Sequence, residues 1–274
     1  MEIIVVANQK GGVGKTTTAI NLAATLAYLS QETLLLDMDP QGNATSGLGF
    51  DKNSIRDTIY PVLIGEKGIE SAIRQSSMHW LDIICANRDL TGAEVDLISV
   101  EEREFALKRA LDGVESMYKY VIVDCPPSLG LLTLNGLAAA HKILVPMQCE
   151  YYALEGLSDL FNTIRRVKES LNPNLEVDGA LMTMFDGRNS LAKQVRGELE
   201  KFFGEKLYQT VIPRSVRLAE APSFGKPILV YDPSSKGGKG YLALGIEFLK
   251  RRRPDWQAPE AWQRLTKEMA FDLS

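Results

Sequence analysis

A glycine-rich segment near the start of the chain, NQKGGVGKTT at residues 8–17, contains the residue types that bind phosphate groups. It follows an apolar run and precedes a segment rich in Ala and Leu, which is the strand–loop–helix setting of a phosphate-binding loop. Glycines let backbone N–H groups turn toward phosphate oxygens, and a helix that begins near Lys15 adds the positive end of its dipole. In such a loop Lys15 contacts the β- and γ-phosphates, and the Thr16 hydroxyl binds Mg²⁺.

The segment departs from the common pattern GxxxxGK[ST], because Gln9 stands at the position of the first glycine and Lys10 follows it. The dinucleotide-binding pattern GxGxxG fits less well, since Thr17 occupies its third glycine position. A turn that only joins a strand to a helix is the remaining alternative. The intact Gly14-Lys15-Thr16 and the carboxylates described next favour a nucleotide site.

Carboxylates follow two further apolar runs, in LLLDMD at residues 34–39 and in YVIVD at residues 120–124. Residues at the carboxyl ends of parallel strands face the crevice in which such sheets bind ligands. Asp124 fits the Walker B pattern and would hold Mg²⁺ through a water molecule. Asp37 and Asp39 are two residues apart, so an extended strand would direct both side chains to the same side. One would then assist Mg²⁺ and the other would orient the attacking water.

Each aspartate taken alone is also compatible with a turn or a helix cap. Their joint position beside a phosphate loop favours the metal–nucleotide interpretation. The two histidines, His79 and His141, lie in no recognisable motif, so general-base chemistry by histidine has little support. Loops with glycine and proline follow the carboxylates at residues 40–49 and 126–130, and we expect them to sense the γ-phosphate as switch segments.

The segment from Gln9 to Thr16, with its additional Lys10, resembles the deviant Walker A sequence of the ParA/MinD family of ATPases. Three later segments resemble the ParA/Soj branch: DMDPQGNATSGLG at residues 37–49, PMQCEYYALEG at 146–156 and VIPRSVRLAEAPS at 211–223. The resemblance spans about residues 1–250 and is highly specific.

This resemblance implies an ATPase that uses ATP and Mg²⁺. In the family, the residue matching Lys10 reaches across a nucleotide-sandwich dimer to the partner's phosphates, where it would stabilise transition-state charge as an arginine finger does. The residue matching Asp39 is tied to hydrolysis, and the one matching Asp37 lies nearer the metal. The implied site consists of catalytic Lys10, Lys15 and Asp39; metal-binding Thr16, Asp37 and Asp124; and nucleotide-binding Lys10, Gly11, Gly12, Val13, Gly14, Lys15, Thr16, Thr17, Pro213 and Arg214, the last two at the adenine.

Alternating strands and helices must position these residues. Short and often continuously apolar runs predict strands buried on both faces; they lie at residues 3–7, 33–36, 81–85, 120–123, 142–146, 177–184, 207–212 and 227–231. Helical patterns occupy residues 16–29, 101–117, 154–171 and 190–203. The alternation predicts an α/β fold with a doubly wound, mostly parallel sheet and helices on both faces, as in P-loop NTPases with a deviant Walker motif.

The composition is that of an ordinary globular protein. The chain has 274 residues, 45% of them hydrophobic and 24% charged, which excludes wholesale disorder and a coiled coil. Three widely spaced cysteines predict reduced thiols in a cytosolic protein, and neither a signal peptide nor a membrane-spanning run is evident. We expect one ATPase domain over residues 1–253. A helical tail at 254–274 would pack on this domain or at the dimer contact.

The charge is unevenly distributed. The net charge of −4 argues against a uniformly basic nucleic-acid-binding surface. Residues 186–253, however, contain 14 Lys and Arg against seven Asp and Glu, a net charge of +7 that leaves −11 for the remainder. A local basic region can bind the DNA backbone whatever the total charge. The resemblance implies DNA contacts at Arg188 and Arg217. Further basic residues would widen this patch or form a solvated helix end: Lys193, Arg196, Lys250, Arg251, Arg252 and Arg253.

The favoured hypothesis is a cytoplasmic, nucleoid-associated partition ATPase of ParA/Soj type. Its ATP-bound homodimer would hold nonspecific double-stranded DNA, without membrane contact, and a ParB-type partner would stimulate hydrolysis. A MinD-like positioning ATPase at a membrane is the alternative, because residues 254–274 carry some apolar surface, but Glu260, Glu268 and Asp272 dilute the basic face such a helix needs. A regulator that binds nucleotide without hydrolysis is disfavoured by the intact site residues. The scattered cysteines disfavour an iron–sulfur reductase.

Overall fold

The computed structural model of the chain describes residues 1–150 and 155–258. Eight strands among these residues form one sheet: β1 (Glu2–Val6), β2 (Thr33–Asp37), β3 (Ile73–Gln75), β4 (Leu81–Ile84), β5 (Tyr120–Asp124), β6 (Lys142–Gln148), β7 (Glu176–Phe185) and β8 (Leu207–Pro213). The helices of the same residues are α1 (Lys15–Tyr28), α2 (Asn43–Gly47), α3 (Ile59–Leu63), α4 (Leu90–Asp96), α5 (Ala106–Leu111), α6 (Leu131–Ala139), α7 (Glu155–Ser170), α8 (Ser190–Phe203), α9 (Val216–Glu220), α10 (Ile228–Tyr231) and α11 (Lys236–Arg252).

The sheet is buried on both faces by helices, which explains its apolar strands. Alternate residues of β1 enter different cores: Ile3 and Val5 pack on the side of α5, α6, α7 and α8, whereas Ile4 and Val6 pack on the side of α1 and α11. Every residue of β2 and β5 is buried. The predicted doubly wound fold is therefore confirmed.

The strand order is β3-β4-β2-β5-β1-β6-β7-β8, and all neighbours are parallel except β3, which pairs antiparallel with β4. Central β1 lies between β5 and β6, and the register places Val6 and Asp37 level with Asp124. Loops that follow β1, β2 and β5 therefore emerge side by side at the carboxyl edge of the sheet. This is the edge at which open α/β sheets bind their ligands.

Two predicted elements were wrong, and one strand was not predicted. Residues 227–231 form the helical turn α10 rather than a strand, because Pro227 precedes the turn and the N–H of Ile228 donates to the Asn21 side chain. The short antiparallel β3 was missed, since three residues that include Arg74 give no apolar signal. The helix expected at 101–117 is α-helical only in α5, with 3-10 turns on either side.

The carboxyl end of α11 is anchored to the amino edge of the sheet, opposite the phosphate loop. Arg252 is 8% exposed and pairs with Glu2 at 2.9 Å and with Asp178 at 2.7 Å. Arg251 donates to the carbonyl oxygen of Leu207 at 2.7 Å. The idea that these two arginines widen a DNA-binding patch is therefore wrong, because they hold α11 against the starts of β1, β7 and β8.

The predicted tail falls mostly on residues 259–274, which lie outside the described residues, as do residues 151–154 of the segment at 146–156. Where the tail is described, Ala258 is buried and Trp256 packs against the core beneath α1 and α11. None of the helices in the described residues is long and apolar enough to cross a membrane.

Candidate functional site

The phosphate loop spans the eight residues between β1 and α1. Gly12 and Gly14 have φ angles of +74° and +84°, which side chains with a Cβ rarely adopt. Apart from the glycine itself and its two chain neighbours, no described residue has an atom within 4 Å of a Cβ built at Gly11 or Gly12, so the outer side of the loop is open. The loop therefore presents accessible backbone where a phosphate would approach the amino end of α1.

Side-chain hydrogen bonds connect this loop to β6 and β7. The Asn8 amide donates to the carbonyl oxygen of Pro146 in β6 at 2.8 Å, and its Oδ1 accepts the N–H of Lys10 at 3.0 Å. The hydroxyl of Thr183 in β7 donates to the carbonyl oxygen of Val13 at 2.8 Å. Thr183 was missed because it lies within an apolar strand pattern. A polar side chain in a strand buried on both faces needs a partner, and that was the available signal.

The two lysines of the loop have different environments. Lys15 is buried, and its Nζ donates to the carbonyl oxygen of Lys10 at 2.9 Å. Burial lowers the pKa of Lys15, and the charges of Asp124 and Asp39 oppose that shift. The Lys10 ammonium instead extends to Glu150 Oε2 at 2.9 Å, in a pair whose side chains are 36% and 49% exposed. Lys15 thus faces the carboxylates, whereas Lys10 lies at the surface.

Asp124 is fully buried at the end of β5, and neither of its carboxylate oxygens has a hydrogen-bond partner among the described residues. Its pKa lies well above the usual value, first because of burial and then because of the charge of Asp37. The Thr16 side chain and the Lys15 ammonium favour its ionised form but do not cancel these effects. Such a group is stabilised by a cation, directly or through water.

Asp37, in contrast, has hydrogen bonds on both oxygens. Oδ1 accepts the N–H of Asp39 at 3.1 Å, and Oδ2 accepts both the N–H and the hydroxyl of Thr45 at 2.8 Å. Burial raises the pKa of Asp37, and the Thr45 bonds oppose the shift. Strand β2 ends at Asp37, so the expectation that Asp37 and Asp39 share one side of an extended strand was wrong. Asp39 lies in the following turn, where its Oδ1 accepts the N–H of Gln41 at 2.9 Å.

The donor set next to the loop consists of the Thr16 hydroxyl and the carboxylates of Asp37 and Asp124. No cluster of three or more His, Cys, Asp and Glu side chains suited to a metal occurs in residues 1–150 and 155–258. Magnesium sites at nucleotides typically use one or two carboxylates and take their other ligands from phosphates and water. The unpartnered oxygens of Asp124 fit this kind of ion.

Pro213 and Arg214 lie at the same edge of the sheet but away from the phosphate loop. Strand β8 ends at Pro213, two strands beyond β6, and the N–H of Arg214 donates to the carbonyl oxygen of Phe185 at 3.2 Å. The structure therefore brings the phosphate loop, Asp37, Asp39 and Asp124 together and places Pro213 and Arg214 farther along the same edge of the sheet, at the end of β8.

The two arginines expected at DNA follow the carboxyl ends of neighbouring strands. Arg188, after β7, has a side chain that is 91% exposed and forms a bidentate pair with Asp186 at 2.8 and 2.9 Å. Arg217, after β8, pairs with Glu220 at 3.0 Å and lies 3.4 Å from Asp232. Both are surface cations with an acidic neighbour.

Comparison with known proteins decides the family. A family profile described as an AAA domain matches residues 1–177. A chromosome partitioning protein ParA from Myxococcus xanthus is 55% identical over 252 residues, which cover 92% of this chain and 89% of that protein. The sporulation initiation inhibitor protein Soj from Bacillus subtilis is 52% identical over 246 residues, which cover 90% and 97%. The chain belongs to the ParA/Soj family of partition ATPases.

A solved structure has a similar fold. The structure of cobyrinic acid a,c-diamide synthase from Mycobacterium smegmatis, with bound ADP and magnesium, has a TM-score of 0.82 and 36% sequence identity to this chain. The matched region covers 94% of this chain and 98% of the synthase chain. The same protein has also been solved with an ATP analogue and magnesium.

In this ParA/Soj-family chain, the burial of Asp124 predicts a stability effect. The D124N variant removes a buried charge, and we expect it to raise the free energy of unfolding without nucleotide by about 1–3 kcal/mol near pH 8. Because folding raises the pKa of Asp124, the folded state binds a proton at this carboxyl more tightly than the unfolded state does. Wild-type stability therefore falls as the pH rises from the unfolded pKa of Asp124 toward its folded pKa. Urea unfolding at about pH 5 and about pH 8 should therefore show that the free energy of unfolding of D124N exceeds that of wild type by more at the higher pH.

The control for this experiment is D178N, since Asp178 is also buried but accepts bonds from Arg252 at 2.7 Å and Tyr208 at 2.5 Å. Loss of one partner of a buried pair is destabilising, so this variant should change stability with the opposite sign. A lower stability of D124N than of wild type near pH 8 would contradict the proposed environment of Asp124.

Thr183 offers a second prediction for the family's phosphate loop. T183V keeps the shape of the side chain but removes the donor to Val13, and we expect nucleotide affinity to fall about fivefold, the equivalent of about one hydrogen bond. T183S keeps the donor and should bind as wild type does. Titration with ADP and Mg²⁺ measures both, and equal affinities of the two variants would show that the hydroxyl does not position the loop.

Proposed function

We propose that the chain is a DNA-partition ATPase whose ATP-bound form is a sandwich dimer on nonspecific double-stranded DNA and whose hydrolysis is stimulated by a ParB-type partner. Membership of the ParA/Soj family makes it a partition ATPase that uses ATP and Mg²⁺. The observation that carries the mechanism is the buried Asp124 carboxylate, unpartnered among the described residues and electrostatically coupled to Lys15 of the open phosphate loop.

Thr16 and Asp124 would hold the magnesium ion, with Asp37 behind them. The ion, when bound, supplies positive charge to the β- and γ-phosphate oxygens. A carboxylate offers about four lone-pair sites, and Asp37 uses three of them on Asp39 and Thr45. We therefore assign Asp37 two tasks: to fix the loop that follows β2 and to face the metal with its remaining site.

The residues from Lys10 to Thr17 would bind the phosphates. Backbone N–H groups at Gly11–Gly14 surround the phosphate oxygens, and Lys15 exchanges its bond to the Lys10 carbonyl for the β- and γ-phosphates. Pro213 and Arg214, at the end of β8, would contact the adenine.

Lys10 would act on a partner's nucleotide. Its pair with Glu150 is exposed on both sides, and exposed pairs contribute about 0–1 kcal/mol, so its redirection toward a second protomer costs little. A second ammonium at the transferring phosphoryl group would stabilise the charge that spreads over its oxygens in the transition state. Hydrolysis would thus depend on dimer formation.

Asp39 would position the attacking water. Its carboxyl is nearly buried, and the bond from the N–H of Gln41 to Oδ1 fixes its orientation. Water held by this carboxylate would attack the γ-phosphorus in line with the leaving oxygen. The ParB-type partner would increase the rate of this step, and release of ADP would return the chain to the monomer.

Arg188 and Arg217 would bind DNA phosphates. Each has an exposed side chain after the carboxyl end of β7 or β8, so both lie at the edge of the sheet that carries the nucleotide site. The acidic neighbours of these arginines weaken each contact with a DNA phosphate. Weak contacts suit reversible binding, in which DNA affinity becomes sufficient when a dimer doubles the number of contacts. We further propose that residues 1–253 form the ATPase domain and that the tail from 254 packs against it, as Trp256 and Ala258 do.

The catalytic assignment predicts two distinct defects. K15A should lose nucleotide binding and nucleotide-dependent dimerisation, because the buried ammonium that faces the phosphates is gone. D39A should bind ATP and dimerise but hydrolyse it about 100-fold more slowly or worse, on the scale of a lost proton-handling or water-positioning group. Phosphate release and light scattering separate these outcomes, and normal turnover by D39A would disprove its role.

The DNA assignment predicts a charge-dependent defect. R217E should weaken binding of the ATP-bound protein to a duplex of arbitrary sequence and reduce the slope of log affinity against log salt by about two per dimer, one lost phosphate contact in each protomer. The matched control is R166E, with the same charge change on the exposed face of α7. DNA affinity of R217E equal to that of R166E, with ATP binding intact in both, would remove Arg217 from the interface.

A further inference from the structure

Two loops of the molecule touch backbone to backbone at Gly49 and Gly225. A Cβ on Gly225 would lie 2.5 Å from the Cα of Gly49 and 3.0 Å from its nitrogen, and a Cβ on Gly49 would lie 3.1 Å from the carbonyl oxygen of Gly225. Their φ angles are +87° and +62°, so both residues also have backbone conformations that favour glycine. No flexible side chain lies between the two loops to absorb a shift of either one.

The Gly49 side of this contact belongs to the loop that begins at Asp37. The N–H and hydroxyl of Thr45 both donate to Asp37 Oδ2 at 2.8 Å. From there the chain reaches Gly49 within one turn, because the N–H of Gly49 donates to the carbonyl oxygen of Ser46 at 3.0 Å and that of Phe50 to Thr45 at 3.2 Å. A change in the position of Asp37 therefore reaches Gly49 through a short, hydrogen-bonded path.

The Gly225 side belongs to the segment that carries Arg217. Glu220 joins this segment together, since its Oε2 accepts from Arg217 at 3.0 Å and from the Tyr231 hydroxyl at 3.2 Å. The N–H of Gly225 donates to the carbonyl oxygen of Pro222 at 3.0 Å, which closes the turn between α9 and α10. These hydrogen bonds connect residues 216–231 with one another, so that the segment can move as one body.

A second contact joins the same segment to the helix after the phosphate loop. The Asn21 amide donates to the carbonyl oxygen of Thr17 at 2.8 Å, and its Oδ1 accepts the N–H of Ile228 at 2.7 Å. Asn21 is buried, so this bond is protected from competing water. The segment 216–231 is therefore fixed at two points, one on the residues that follow Asp37 and one on the residues that follow Lys15.

We infer that these two contacts couple the nucleotide site to DNA binding by setting the position of Arg217 according to the state of the loop after Asp37. The inference rests on the proposed function, because it concerns the regulation of the DNA contact assigned there. Closely packed elements respond to a small shift at one end by moving as units, and here the unit carries the arginine. Nucleotide and DNA would then each strengthen the binding of the other.

The test is DNA binding by G225A with a non-hydrolysable ATP analogue and with ADP, on a duplex of arbitrary sequence. The added methyl collides with backbone atoms of Gly49, so the loops must separate. We expect G225A to bind the analogue as wild type does but to lose most of the analogue-over-ADP preference for DNA, which is about 5- to 150-fold in typical coupled systems. The control is G65A, since Gly65 also has a positive φ, +78°, but no described atom within 4 Å of its Cβ.

A second variant guards against a folding defect in G225A. N21A removes the bond to Ile228 without adding volume and should reduce the same preference, while a thermal shift with the analogue confirms that each variant is folded. Full preference for DNA in both G225A and N21A would overturn the coupling. A wild-type protein that shows no analogue-dependent DNA binding would instead overturn the proposed function, and the coupling with it.

Discussion

Two buried carboxylates on adjacent strands, Asp37 and Asp124, are the constraint on which the site depends. The parallel register makes them level partners at the ends of β2 and β5, and parallel strands lie about 4.8 Å apart. Burial raises the pKa of both carboxyls, and the charge of Asp37 raises the pKa of Asp124 further. A fold selected for stability alone would not place them there. Their proximity concentrates negative charge where a cation and the Lys15 ammonium are required.

The two carboxylates are distinguished by their hydrogen bonds. Asp37 is occupied by Thr45 and by the backbone of Asp39, so its main structural effect is to hold the loop after β2. Asp124 has no such bonds within the described residues and remains available to a ligand. The two aspartates thus differ in role because of their environments: Asp37 holds a loop in place, and Asp124 is available to bind a cation. Paired carboxylates in many active sites differ in role for the same reason.

Local sequence spacing predicted the parts of the site that lie on contiguous segments. The phosphate loop, Asp124 and the doubly wound sheet follow from motifs and apolar runs whose physical meaning is local. Thr183, by contrast, reaches Val13 across 170 positions, and the contact between Gly49 and Gly225 joins segments equally remote in sequence. Residues 227–231 were misassigned because a short apolar run suits a strand as well as a buried helical turn. The preceding Pro227 and the tertiary partner Asn21 together favour the helical turn.

The net charge of −4 becomes understandable once its distribution in the fold is known. Basic residues of the segment 186–253 are divided between the two edges of the sheet: Arg251 and Arg252 serve α11 at the amino edge, and Arg188 and Arg217 lie at the carboxyl edge. The latter two are each offset by acidic neighbours. On the proposed function, a single protomer would hold DNA only weakly. A dimer with two copies of each arginine would hold it through additive phosphate contacts, so that loss of ATP and of the dimer halves the number of these contacts and releases the DNA.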